Sequence, residues 1–120
     1  MAIQLYRLEK DMAHPCSTSE YAEWHDNLPE DQQIQLGQLL LKDSVGDVTA
    51  TTIFFAVPFG HHGRRVQLWA TITTGPGFFK EQLYTSHRAA GNGHRDTVAK
   101  LKKQLSPNLA IAASTLKSSA

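Results

Sequence analysis

A single cysteine, Cys16, stands in 120 residues, so no disulfide can close within the chain. That scarcity fits a reducing cytoplasm better than a secretory route. No apolar run approaches the roughly 18 residues a membrane span needs. The opening segment, MAIQLYRLEKDM, carries charges early and has no apolar signal core. The metal patterns H-E-x-x-H, H-x-E and C-x-x-C do not occur, nor do G-x-S-x-G, a P-loop or a dinucleotide-binding glycine fingerprint. The carboxylates show no paired arrangement for acid–base work. These absences argue against secreted, membrane, zinc-ribbon and common hydrolase classes. No metal and no cofactor is expected, and no catalytic residue is named.

What remains is an ordinary globular mix, 41% hydrophobic and 19% charged, able to bury one modest core. The length predicts one domain, residues 1–106, followed by a flexible tail at 107–120 rich in small residues. The net charge of +1 hides an asymmetry. Residues 1–60 hold three basic side chains against nine acidic, and residues 61–120 hold nine basic against two acidic. Such a split means either a basic face for an anion or two halves that face each other within the fold or across an oligomer.

Along the chain, IQLYRL near the start alternates weakly and reads as a short strand. Ser17 to Glu20 is a capping box, predicting a helix over 18–26 with Tyr21 and Trp24 on one face and Asn27 and Pro29 at its end. The polar stretch 30–37 is ambiguous, with a second helix through Ile34 as the rival. Residues 39–45 and 48–57 read as a hairpin about Gly46-Asp47, glycine at the first turn position suiting a type II′ turn. The run Ile53 to Val57 predicts a strand covered on both faces. PFGHHGRR, 58–65, reads as a loop. RVQLWATIT, 65–73, reads as a central strand, TGPGFFK, 74–80, as a second loop, and 81–85 as a short strand. Ser86 caps a helix over 87–105 whose apolar stripe is His94, Val98, Leu101 and Leu105, weakened by Gly91 and Gly93 and ended by Pro107. The fold class is therefore α+β: an antiparallel sheet of about four strands packed on a C-terminal helix, with a short N-terminal helix.

Among the six histidines, adjacent His61 and His62 diverge on a strand, and His94 reads as a packed, hydrogen-bonded core residue. Cys16 precedes a helix start, where the dipole could lower its pKa, although a plain thiol is the simpler reading. Anion binding is the better chemical case. His61, Arg64 and Arg65 lie in one glycine-bearing loop, where arginine forks suit phosphate. Phe78, Phe79 and Lys80 lie in the other, where a phenyl face can stack a base while the cation holds charge. Arg88 opens the C-terminal helix and is within reach of either set. The two loops fall at opposite ends of the strand 65–73, so one pocket using both needs a second protomer. A plainer reading has Phe78 and Phe79 capping the core.

The segments EWHD, VGDVTATTIFFAV, VQLWATITTG and EQLYTSHRAAGNGHRDTV, from Glu23 to Val98, resemble a family of small bacteriophage and prophage proteins. Its members carry an E-W segment, a VGDV-x-VSTVFLG-like strand, an L-[FW]-ET strand, a Y-[ST]-T turn and an A-x-x-G-H helix. Two departures stand out. The family strand ends in Asp-His where this chain has Pro58 and Phe59, and the family glutamate after the aromatic residue is Ala70 here. The outline is also similar to that of the Thoeris anti-defence sponge proteins. That resemblance implies a phage-encoded anti-defence protein in the cytoplasm of an infected bacterium. It implies a homo-oligomer that binds a cyclic nucleotide-derived immune signal, of the kind Thoeris and CBASS systems use, without cleaving it. The alternatives are an anti-CRISPR-like inhibitor that binds a host defence protein through its acidic half, and an enzyme that degrades the nucleotide.

Overall fold

The capping box forms as its spacing predicts. Ser17 Oγ accepts from the Glu20 amide at 3.1 Å, and Glu20 Oε1 accepts from the Ser17 amide at 2.9 Å. Helix α1 follows at Thr18–Asp26 and closes on Asn27. The computed structural model describes residues 3–118, with side chains through residue 104. Ahead of α1 stand two strands, β1 (Leu5–Glu9) and β2 (Met12–Cys16), paired antiparallel. Their turn residues, Lys10 and Asp11, carry φ of 50° and 65°, the doubly left-handed geometry of a tight hairpin.

The stretch 30–37 contains no second α-helix. It holds a single 3-10 turn, Glu30–Gln32, and a two-residue strand β3 (Gln33–Ile34). The hairpin about Gly46 is present as β4 (Gly37–Val45) and β5 (Val48–Phe55), joined where Val45 pairs Val48. Gly46 carries φ of 60° while Asp47 does not turn positive, matching the expected turn. Beyond β5, the expected loop 58–65 is largely a small hairpin, β6 (Gly60–His62) with β7 (Arg65–Gln67). The expected strand 65–73 is broken at Leu68: β8 is Trp69–Gly75 and belongs to a different sheet from β7. Phe78, Phe79 and Lys80 lie in strand β9 (Phe78–Tyr84), because the turn after β8 is tighter than the sequence suggested. The main sheet has five antiparallel strands in the order β3-β4-β5-β8-β9.

Helix α2 starts at His87, where Ser86 Oγ accepts from the Ala89 amide at 3.1 Å. It continues to Ser118. Pro107 therefore does not end it, and the expected tail is helical backbone through that point. Of the predicted stripe, His94 and Leu101 are buried and Val98 is half-buried; Leu105's side chain lies outside the described residues.

α2 packs across one face of the sheet. That face carries Ala50, Thr52 and Phe54 of β5, Trp69, Thr71 and Thr73 of β8, and Tyr84 of β9, all buried. Trp24 of α1 stands edge-on to Phe54 with ring centroids 5.9 Å apart, on the same side. Tyr6 and Leu8 of β1, Ala13 of β2 and Val66 of β7 pack on the same cluster. The opposite face carries Ile53 and Phe55 of β5 and Ile72 of β8, and these remain half-buried. The apolar run in β5 is thus covered on one face only. Ile53 and Ile72 point away from the helix together with Thr49, Thr51 and Thr74, while Thr52, Thr71 and Thr73 point toward it.

Candidate functional site

The seven side chains singled out from the sequence do not converge. Arg64 and Arg65 sit at the β6–β7 turn and line a cleft of about 440 Å³ floored by Trp69 and Leu68 and walled by β2 and the start of α2. Arg88 lies on the other side of α2, in a groove of about 400 Å³ between that helix and β4. Phe78 and Lys80 are at the far end of the sheet, beside the middle of α2. Phe79 is 68% exposed; it pairs Thr74 on the face away from α2. His61 pairs Val66 on the small hairpin and is exposed. The phenylalanines therefore neither cap the core nor reach the arginine cleft, because β8 and β9 carry them a full strand length away from Trp69.

His87 joins the two clefts, lining both. Its Nε2 stands 3.3 Å from Asp11 Oδ1, and its ring is edge-on to Trp69 with centroids 6.4 Å apart. Two polar atoms in this region, Trp69 Nε1 and His87 Nδ1, are buried with no protein partner. Trp69 Nε1–H gains most from an acceptor that reaches it, and His87 Nδ1, with Nε2 turned to the Asp11 carboxylate, from a donor. In the groove, Arg95 lies two helical turns beyond Arg88 on the same face, with Gly91 leaving the surface between them low. Arg95 Nη2 donates to Asn92 Oδ1 at 2.7 Å, which holds the guanidinium in place. Across the groove Gln38 Nε2 donates to Gln32 Oε1 at 2.8 Å. No carboxylate lines the groove, and Asp11 is the one acid lining the neighbouring cleft. Arg64, Arg65, Arg88 and Arg95 take part in none of the ion pairs among the described residues. Sequence reading found Arg64, Arg65 and Arg88. It missed Arg95, which reads as a solvated helix position, and Trp69 and His87, whose role depends on the break at Leu68.

Beneath the groove runs a closed chain of polar side chains. His94 Nε2 is 2.7 Å from Asp43 Oδ2, and His94 Nδ1 is 2.7 Å from Thr52 Oγ1. Thr52 and Thr71 hydroxyls are 2.6 Å apart, and Tyr84 O–H donates to Thr71 at 3.1 Å. A carboxylate only accepts, so Nε2 donates to Asp43. With Tyr84 donating to Thr71, each hydroxyl gives its one proton along the row, ending at His94 Nδ1. The expected packed core histidine is confirmed, its stripe tied to the threonine face of the sheet. The members match those of a nucleophile–base–acid set, but Thr52 is fully buried and His94 is 2% exposed. Thr52's proton is already committed, so this set anchors α2 to β4 and β5.

Cys16 is buried at the end of β2. Burial pushes its thiol above the ordinary range and the neighbouring Glu20 charge adds to this, while Arg7 opposes it. This runs opposite to the lowering that its place before α1 suggested and agrees with the reading of a plain thiol. Among the described residues no three His, Cys, Asp or Glu side chains gather as a metal site, and no helix is long and apolar enough to cross a membrane.

No family model, curated protein or solved structure matches the chain.

Proposed function

We propose that this chain binds a nucleotide-class anion in the two clefts that meet at His87 and holds it without cleavage, as a phage-encoded sponge for a cyclic nucleotide-derived immune signal. The observation that carries this reading is four arginines without carboxylate partners around two adjacent cavities, one of which has an aromatic floor. Each cavity falls in the size range of small-molecule sites. A ligand with phosphate in the Arg88–Arg95 groove and a base against Trp69 and the β2 wall uses both. The α2 N-terminus adds its positive dipole end to the arginine cleft. Sequestration rather than turnover is supported by the closed Asp43–His94–Thr52 row, which offers no free hydroxyl or ring nitrogen to a bound molecule. Phe78 and Phe79 have no place in this reading.

Titration calorimetry with a panel of cyclic di- and trinucleotides and cyclic ADP-ribose isomers tests it. One class binds, and Arg64→Ala and Arg88→Ala each weaken binding about tenfold or more, the worth of one lost charge-assisted hydrogen bond. Phe78→Ala leaves it unchanged. No binding by any member of the panel, or equal loss on Phe78→Ala, contradicts the assignment.

A further inference from the structure

We infer that the cavity between α2 and the edge strand β9 is a second binding site, separate from the arginine clefts, for a small amino dicarboxylate such as glutamate. This stands independently of the nucleotide reading. β9 is the last strand of the main sheet and, among the described residues, pairs with β8 alone. Side chains alternate along it, so Phe78 and Lys80 share the helix side with Tyr84, while Phe79 and Glu81 face the other way. α2 comes down onto Tyr84 at Gly93, where there is no room for a β-carbon. Beyond that contact the helix and the strand bound a cavity of about 250 Å³, more enclosed than either arginine cleft. Sites for drug-sized ligands begin at about 300 Å³, so this one suits a smaller molecule.

The lining says which molecule. Thr73 and Leu101 close the floor, 3% and 7% exposed. The Thr52 and Thr71 hydroxyls, on the same face of the sheet, are bonded in the buried row, whereas that of Thr73 forms no hydrogen bond with the described residues. A hydroxyl so placed is satisfied by a polar group inside the cavity. Phe78 supplies an apolar wall. Lys80, Asp96 and Lys100 stand at the rim, all exposed. On α2 the acid precedes its lysine by one turn, the order that favours an ion pair. None forms there, and Lys80 has no carboxylate partner either: the ion pairs among the described residues are Arg7–Glu9, His87–Asp11 and His94–Asp43. Two cations and one anion thus line a common space without neutralising one another. The complement is a molecule with two carboxylates and one ammonium, joined by a short methylene chain that lies on the Phe78 ring. A phosphate anion alone meets repulsion from Asp96.

Titration calorimetry on the full chain with L-glutamate, L-aspartate and glutarate tests this. At least one of the two amino acids binds, one per chain, at ligand concentrations up to about 10 mM. Lys100→Gln, Asp96→Asn and Phe78→Ala each weaken that binding about threefold or more, the scale of contacts at an exposed rim. Glutarate carries the two carboxylates without the ammonium. It therefore binds the parent more weakly than glutamate does, and Asp96→Asn strengthens it. That reversal of sign separates a contact with the ligand from damage to the fold, and circular dichroism melts of the variants stay close to the parent. No binding of either amino acid overturns the inference. So does glutarate held as tightly as glutamate by the parent, or an Asp96→Asn change that moves both ligands the same way.

Discussion

Gly93 sets how close α2 comes to the sheet. A β-carbon there would land on the hydroxyl and ring of Tyr84, a rigid side chain 8% exposed. Glycine to alanine in an exposed helix gains about 1 kcal/mol. Here the clash costs more, because Tyr84 cannot turn away without releasing Thr71. Gly93→Ala is expected to lose about 1–2 kcal/mol in urea unfolding, and a gain would show that the helix does not approach so closely. His94 is the second such residue. Replacing it with leucine leaves the Thr52 hydroxyl buried without its acceptor, at a cost of about 2–3 kcal/mol. Asp43→Ala costs less, since that side chain is half exposed; equal losses would show that Asp43, not the buried hydroxyl, anchors the row.

At the scale of elements, α1 draws its start from the Ser17–Glu20 exchange. The Ser17 amide and hydroxyl hold Glu20's carboxyl below the usual carboxylate range, with Arg7 helping. A carboxyl with a lower pKa in the folded state stabilises above its ordinary value, and that contribution is lost as pH falls through the lowered one. The stability gap between the parent and Glu20→Gln should therefore narrow on acidification from neutral pH toward about pH 3. A gap constant across the range contradicts it. This helix, the hairpin at Gly46 and the Ser86 cap were legible because each rests on local chemistry at fixed spacing. The β1–β2 hairpin was half hidden: Lys10 gives no glycine signal at its left-handed φ, and Pro15 demotes β2, where it is tolerated at a sheet edge. The break at Leu68 was not legible, since alternation runs unbroken from Val66 to Thr73 across two sheets. That break puts β8 in the main sheet with Trp69 and Thr71 on the helix side, while the tight β8–β9 turn places Phe78. Three of the site arginines were named from residue type beside glycine turns and a helix cap. Their partners, His87 and Arg95, come from the helix crossing the sheet, which no spacing encodes.

For the whole molecule, the charge split gains a location. The two halves touch through hydrogen-bonding histidines, His87–Asp11 and His94–Asp43, and among the described residues no lysine or arginine of the second half pairs with an acid of the first. The arginines are left to face the clefts rather than the acids of the first half. An anion held there by several cations binds more weakly as salt rises.

The most direct measurement is native mass spectrometry of the protein after incubation with the cyclic nucleotide that calorimetry selects, followed by denaturation and mass analysis of what is released. Sequestration predicts a bound mass equal to the intact ligand, recovered unchanged, and absent when Arg64 and Arg88 are both alanine. A hydrolysed or isomerised product, or a ligand retained without those arginines, contradicts it.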